Sequence, residues 1–392
     1  MPMSHTTRFL ALAILAALAT PAHAEIAVDV IGGSEVSLEG LFQADGNWYD
    51  DDLVDLNGTG SGNGADTEFE LRRAEVIVKG KGVTWDWIVG YDAKADKFLD
   101  TNVRYKMGTK FLQAGQYKQP NSLEELTSTR HNDFISKAMT TNLFGVARRV
   151  GVAYGIEDVS WGFMASAFGR ELTRNLAHGS GYGVRGYWAP INETGRFLHL
   201  GVSAVDLDTD ADTLRLRVRP DADLATARLV DTGNLLNTDR QTTVGLEGAY
   251  VQGPFKVQAE YMHSSVDRYD TRVASQPGGD FKGDSWYVYG IWNITGETWT
   301  YKAGVPVTPY PNDPASGMWQ VGLRYDAANL DDGPVLGGEE QNLTLGVNWY
   351  WRSNFKLQLN YVMAESEKFS RSAGGDVEDN PNILEARAQF YW

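Results

Sequence analysis

The stretch NLTLGVNWYWRSNFKLQLNYVM, Asn342–Met363, decides the fold. Leu343, Leu345, Val347 and Trp349 fall on one side, with Thr344, Gly346 and Asn348 between them. After the turn residues Arg352–Asn354 the same alternation resumes. Phe355, Leu357, Leu359 and Tyr361 are apolar, whereas Lys356, Gln358 and Asn360 are polar. A period of two is the signature of a β-strand with two unlike faces. Here the apolar face ends in aromatics and the other face is polar or charged.

Working outward, the pattern recurs along the chain. In TWDWIVGYDAK, Trp85, Trp87, Val89 and Tyr91 oppose Asp86, Gly90 and Asp92. In MWQVGLRYDA, Trp319, Val321, Leu323 and Tyr325 oppose Gln320, Gly322, Arg324 and Asp326. Candidate strands start near residues 36, 66, 84, 98, 111, 147, 160, 182, 196, 241, 254, 284, 318, 341, 355 and 382. Short connectors such as KGKGV, MGTK, NETGR, VQGP and WRSN alternate with long ones at 50–66, 121–146, 206–240, 264–283, 327–340 and 366–381. The segment 300–317 is long where a short turn is due. In FELRRAEVIVKG the apolar parity slips near Arg72 and Arg73, which predicts a bulge.

Composition bounds the class. The chain has no Cys, 42 Gly, 12 Trp, 18 Tyr and 15 Phe. Residues 1–24 read as a signal peptide: Arg8, an apolar run, then Ala22-His23-Ala24 before the expected cleavage point. Residues 25–392 then form a single domain. No later segment supplies the about 18 consecutive apolar residues of a membrane helix. A soluble sandwich would also alternate, so alternation alone leaves two architectures open. Recurrence to the last residue, the short–long rhythm of connectors and the aromatic ends favour an all-β transmembrane antiparallel barrel of about 16 strands. A barrel of that size encloses an aqueous channel.

One stretch runs against the chain's acidity, which is −16 in formal net charge. TLRLRVRPD, residues 213–221, sets Arg215, Arg217 and Arg219 on one face. They read either as a charged strand edge facing solvent or as a rail for anions. In NSLEELTSTRHNDF, Ser122 and Glu125 fit a capping box, so a short helix is expected there.

With these segments in view, the chain resembles the phosphate-selective porins of Gram-negative outer membranes, the O/P family. The resemblance rests on FELRRAEVIVKG (69–80), AGQYKQPNSLEELTSTRHNDFISKA (114–138), TLRLRVRPD (213–221), LGVNWYW (345–351) and LEARAQFYW (384–392). It implies a sixteen-stranded homotrimer in the outer membrane, bathed in lipid and lipopolysaccharide, that passes phosphate or other small anions. It implies inward-folded loops: a constriction built by the third extracellular loop, an arginine rail in the fifth, and a long periplasmic turn that dips inward at 300–317. The residues it assigns to anion contact are Arg72, Arg73, Lys118, Arg130, Arg215, Arg217 and Arg219, with Arg228 and Arg240 as continuations of the rail. Lumen cations are also expected at Arg104, Lys106, Arg185, Lys256, Arg324, Lys356 and Arg387. No cofactor is implied.

Other readings fare poorly. His131, His178, His199 and His263 lack metal-ligand spacing. No GxSxG elbow is present. The negative charge opposes nucleic acid. Two alternatives stay open at this level: a general or differently selective diffusion porin, and a non-conducting structural or adhesive barrel.

Overall fold

The computed structural model describes residues 26–31, 34–58, 66–173, 179–209, 211–269, 279–370 and 372–392. The expected signal peptide lies outside them. Sixteen strands form the wall: β1 Ser34–Asp50, β2 Thr67–Lys81, β3 Trp85–Asp92, β4 Lys97–Met107, β5 Lys110–Lys118, β6 Arg148–Glu157, β7 Trp161–Phe168 and β8 Ser180–Glu193. There follow β9 Arg196–Asp208, β10 Thr238–Gln252, β11 Phe255–Arg268, β12 Phe281–Asn293, β13 Met318–Asp332, β14 Val335–Trp351, β15 Phe355–Ser370 and β16 Asn382–Tyr391. Each pairs antiparallel with its sequence neighbours. The last returns to the first through Leu41↔Tyr391 to Asp50↔Asn382. Closure leaves no free edge within the wall, which is what a strand needs in a medium without water. Below the point where β16 ends, the strand Ile26–Ile31 covers the start of β1.

The two faces sort as the alternation requires. On β14, Leu345 is 48 % exposed while Thr344 and Asn348 of the other face are buried toward the lumen. Aromatics stack on the outer face near the short-turn end: Phe255 on Trp292, and Trp319 on Trp349. The expected bulge is present. Gln43 pairs with Arg73 and Ala44 with Leu71, so Arg72 is the extra residue. Both arginines therefore point inward, and neither meets lipid.

Three connectors depart from expectation. In 366–381, Ser366–Ser370 pairs antiparallel with Gly375–Asp379, a hairpin rather than a loop. The segment 327–340 is not a loop: β13 and β14 run on past the wall and turn at Gly333–Pro334. The connector between β3 and β4, residues 93–96, is short although it lies on the long-loop side. The segment TLRLRVRPD is not part of the wall. It lies in the loop between β9 and β10 as an extended strip with two-residue bridges.

An arginine at Leu345, near the middle of β14, should cost about 2–4 kcal/mol of stability. Gln113→Arg, on the lumen side of β5, should cost far less. Urea unfolding of the barrel in lipid vesicles measures both.

Candidate functional site: the lumen and its inward loops

The loop 119–147 leaves β5 and enters the barrel. Its first turn, α1 Leu123–Leu126, is capped by Ser122, whose hydroxyl accepts from the Glu125 N–H at 3.1 Å. The two preceding N–H groups, on Leu123 and Glu124, donate to the Glu260 carboxylate of β11 at 2.9 and 2.7 Å. The wall thus supplies the acceptor that an N-terminal turn lacks. The reciprocal half of the expected capping box is replaced: Lys137 and Lys118 pair with the Glu125 carboxylate.

The middle of the loop lies flat on the wall. Lys356 donates to the Asn132 carbonyl at 2.6 Å, Arg387 to that of Ile135 at 2.8 Å and Arg324 to that of Ser136 at 2.9 Å. Lys256 pairs with Asp133 at 2.6 Å. The ring of Phe134 sits where Gly322 and Gly346 leave room. A Cβ on Gly346 would stand 3.0 Å from it. Four of the expected lumen cations thus act on the loop that narrows the lumen. A short α2, Met139–Phe144, follows before β6.

The opposite rim is built by β2, β4, β5 and β6. Arg73 stands 3.6 Å from Glu75, and Arg148 pairs with Asp100 at 2.7 Å. Glu75 lies within electrostatic reach of Arg73, Arg148 and Arg130. Lys118 donates to the carbonyls of Glu125 and, at 3.0 Å, Thr127. Arg130 pairs with Glu39 of β1 at 2.9 Å. Arg148 was not singled out in the sequence. Its signal was the doublet Arg148-Arg149 opening a strand, like Arg72-Arg73.

The loop 211–237 descends from the mouth. Thr213–Leu214 bridges Leu235–Leu236, and Arg217–Val218 bridges Val230–Asp231. Its aliphatic side, Leu214, Leu216 and Val218, packs with Met139, Leu143 and Phe144 of the first loop and with Met262, Phe281 and Leu330 of the wall. The alternate side chains turn to water: Arg215 and Arg217 are exposed and Arg219 is half-buried. Arg215 holds Asp231, with Nε to Oδ1 at 2.7 Å, and Arg219 donates to the Ala225 carbonyl. Among the described residues the Arg217 guanidinium makes no hydrogen bond or ion pair. Arg228 belongs to this cluster. Partial burial and the nearby Arg219 and Arg217 bring its pKa down to about 10. Arg240 does not belong; it pairs with Asp206 on the neighbouring strand β9.

Lower down, the loop ties into the centre. Asp221 pairs with Arg324 at 2.7 Å, and Asp223 with Arg72 at 3.1 Å. The Asp223 N–H donates to the Ser136 hydroxyl at 2.8 Å, joining the two loops. Arg72 is therefore a foot of this loop, while Arg73 stays beside Glu75. From below, the segment 300–317 also enters, as expected. Its hairpin Thr300–Val307 brings the Tyr301 hydroxyl 2.7 Å from His199 Nδ1, and Arg185 donates to the Gly304 carbonyl at 2.8 Å. Among the described residues no group of His, Asp and Glu is arranged to hold a metal ion.

A closed sixteen-strand barrel with a lipid-type outer face and loops folded into a charged lumen defines an outer-membrane porin. The family model of the phosphate-selective porins O and P matches residues 42–392, and the chain belongs to that family. It is 26% identical to Porin O of Pseudomonas aeruginosa, over 96% of this chain and 97% of that one. It is 27% identical to an uncharacterized protein of Caulobacter vibrioides over 79% of this chain, spanning 65% of that relative's length. Among solved structures, the anion-selective porin of Comamonas acidovorans superposes with a TM-score of 0.57 at 13% identity, over 92% of this chain and all of that one. The chain is a multi-pass barrel of the Gram-negative outer membrane.

Filling the socket under the loop should release it. Gly346→Leu is expected to expel Phe134 and raise single-channel conductance, while the folded barrel keeps its resistance to SDS before heating. Acid should act on the same anchors. Burial pushes the Glu125 carboxyl up, but Lys137 and Lys118 outweigh it and hold the pKa at about 2. Asp223 is likewise held at about 2: burial opposes, and Arg72 and Arg387 prevail. Carboxylates depressed in the folded state stabilise it above their ordinary range near 4, and the contribution fades as pH falls through the folded value. Conductance noise from loop motion should stay flat from pH 7 to about 4 and rise between about 4 and 2.

Proposed function

We propose that this porin passes small anions, inorganic phosphate or polyphosphate, by passive diffusion through an eyelet lined with Arg and Lys. The observation that carries the reading is the orientation of residues 213–219. Aliphatic side chains there are consumed by packing against α2 and the wall, which leaves the arginine side to water at the mouth. Guanidinium keeps its charge at any working pH and offers a planar fork of donors to phosphate oxygens. Arg73 and Arg130 at the narrowing continue the series inward. Several weak cationic sites in a row let an anion enter and also leave. The chain's negative net charge does not oppose this, because selectivity follows the local lining.

A second reading has its own support. At the eyelet Arg73, Arg148 and Lys118 each stand beside a carboxylate: Glu75, Asp100 and Glu125. That mixed lining would suit a less selective diffusion porin. The homotrimer implied by the resemblance goes with either reading. A non-conducting barrel would show no channels at all in a planar bilayer.

Replacing Arg215, Arg217 and Arg219 together by alanine leaves Leu214, Leu216 and Val218 to pack as before. The barrel should fold normally. Phosphate block of the chloride current should weaken, most at low ionic strength, where electrostatic steering is strongest. The reversal potential in a KCl gradient should move toward cation preference. A triple mutant identical to wild type in both measurements would return the arginines to a solvent-facing strip and favour the less selective pore.

A further inference from the structure

One of the ties between the loop 211–237 and the wall is fully buried, and its charges do not balance. Arg324 of β13 pairs with Asp221 of the loop at 2.7 Å and stands 3.3 Å from Asp326 of its own strand. Glu340 of β14 lies one diagonal step away: Asp326 is opposite Asn342, whose amide donates to Glu340 at 3.0 Å. Arg324, Asp326 and Glu340 have no exposed surface, and Asp221 has 1 %. Three carboxyls thus share one guanidinium away from bulk water. Among the described residues Arg324 is the only cation within ion-pair distance of Asp221, Asp326 or Glu340.

The surroundings do not restore the balance. Thr344 of β14 offers Asp221 a neutral hydroxyl at 3.4 Å. The other charged groups that face the cluster are carboxyls: Glu124 of α1, 3.8 Å from Arg324, Asp379 of the hairpin after β15, and Glu385 of β16. Lys137 and Arg387 act on the outer members, Glu124 and Glu385.

The oxygens of the cluster also lack donors. Both Asp326 oxygens, Asp221 Oδ1, Glu340 Oε2 and Asn342 Oδ1 make no hydrogen bond. Yet the Asp221 and Asp326 side chains stand within hydrogen-bonding range of each other. Two ionised carboxylates repel at that range, and a buried carboxylate without a partner is costly. One proton between them removes a negative charge and turns the contact into an O–H···O bond, the short charge-assisted kind.

We propose that this foot of the loop is a proton-locked joint: Asp221 and Asp326 share a proton beneath Arg324, and the foot leaves the wall when that proton is lost. The proton passes to water and leaves two like charges in contact beside Glu340. The docked foot binds one proton more than the released foot. Docking therefore weakens about tenfold per pH unit, from the ordinary carboxyl range near 4 up to the pH at which the docked acid ionises. Fully buried carboxyls reach about 8–9, so release is expected in alkali.

The test records the folded barrel in a planar bilayer, in KCl, from about pH 6 to about pH 10, a range that brackets that ionisation. Current noise from loop motion should be flat to about pH 8 and rise severalfold above it. Asp326→Asn sets an amide donor against Asp221 at every pH and should stay quiet throughout. Asp221→Asn supplies the same donor from the loop side and should behave alike. Lysines and tyrosines of the lumen titrate equally in all three proteins, so the difference between them reports the pair. Neither outcome depends on which anion the channel prefers. A wild type that stays quiet to the top of the range overturns the proposal. So do variants that turn noisy together with wild type, or that are both noisy at every pH. Noise appearing at neutral pH on addition of EDTA also overturns it, since a bound divalent cation would then hold the joint.

Discussion

Four cations rooted in the wall hold the loop 119–147 inside the barrel: Lys256, Arg324, Lys356 and Arg387. Three of them donate to its backbone carbonyls and the fourth pairs with Asp133. A loop pressed against a wall loses water from its carbonyls, and those groups must find donors. A buried cation needs acceptors just as strictly. Each requirement satisfies the other. The wall strands bring the charge and the loop brings the oxygen, so neither is stable in this form alone. The second loop then builds on the first. Asp221 and Asp223 reach Arg324 and Arg72, and Leu216 and Val218 rest on α2.

This coupling divides the basic residues into two kinds. Cations deep on β11, β13, β15 and β16 are spent on architecture. Arg73, Arg148 and the arginines of residues 215–219 keep part of their surface to water, and the Arg217 guanidinium keeps all of its donors. The division leaves an acidic protein with some cations open to water. Many of its carboxylates are consumed as anchors of loops, as Glu124, Asp221, Asp223 and Glu260 are.

The outer face obeys a simpler rule, since lipid asks only for apolar surface and satisfied backbone. Relief on that face has two sources: the side-chain size along each strand and the shear that offsets one strand from the next. Small residues at the seam between β16 and β1 line up only because closure pairs Ala44 with Ala388, residues from opposite ends of the chain.

Much of the wall was legible in sequence because strand alternation is local. Leu343–Trp349 and Phe355–Tyr361 name their own lipid faces, and the parity slip at Arg72-Arg73 marks a real bulge. The inward turn at 300–317 was visible as a long connector in a short-turn position. The hairpin at Gly333–Pro334 was missed, since polar alternation beyond the membrane, in Glu339 and Gln341, reads like a loop. Side-chain partners were beyond reach for a different reason. Whether Lys118 meets an ion or a carbonyl depends on where a loop folds, and whether Arg240 joins the rail depends on Asp206 across a strand pair. Arg324 finds Asp221 and Arg387 finds Asp45 across long separations in sequence. Local patterning determined which residues face inward. Only barrel closure and the packing of two loops against the wall decided which of those inward charges are consumed and which remain open to the channel.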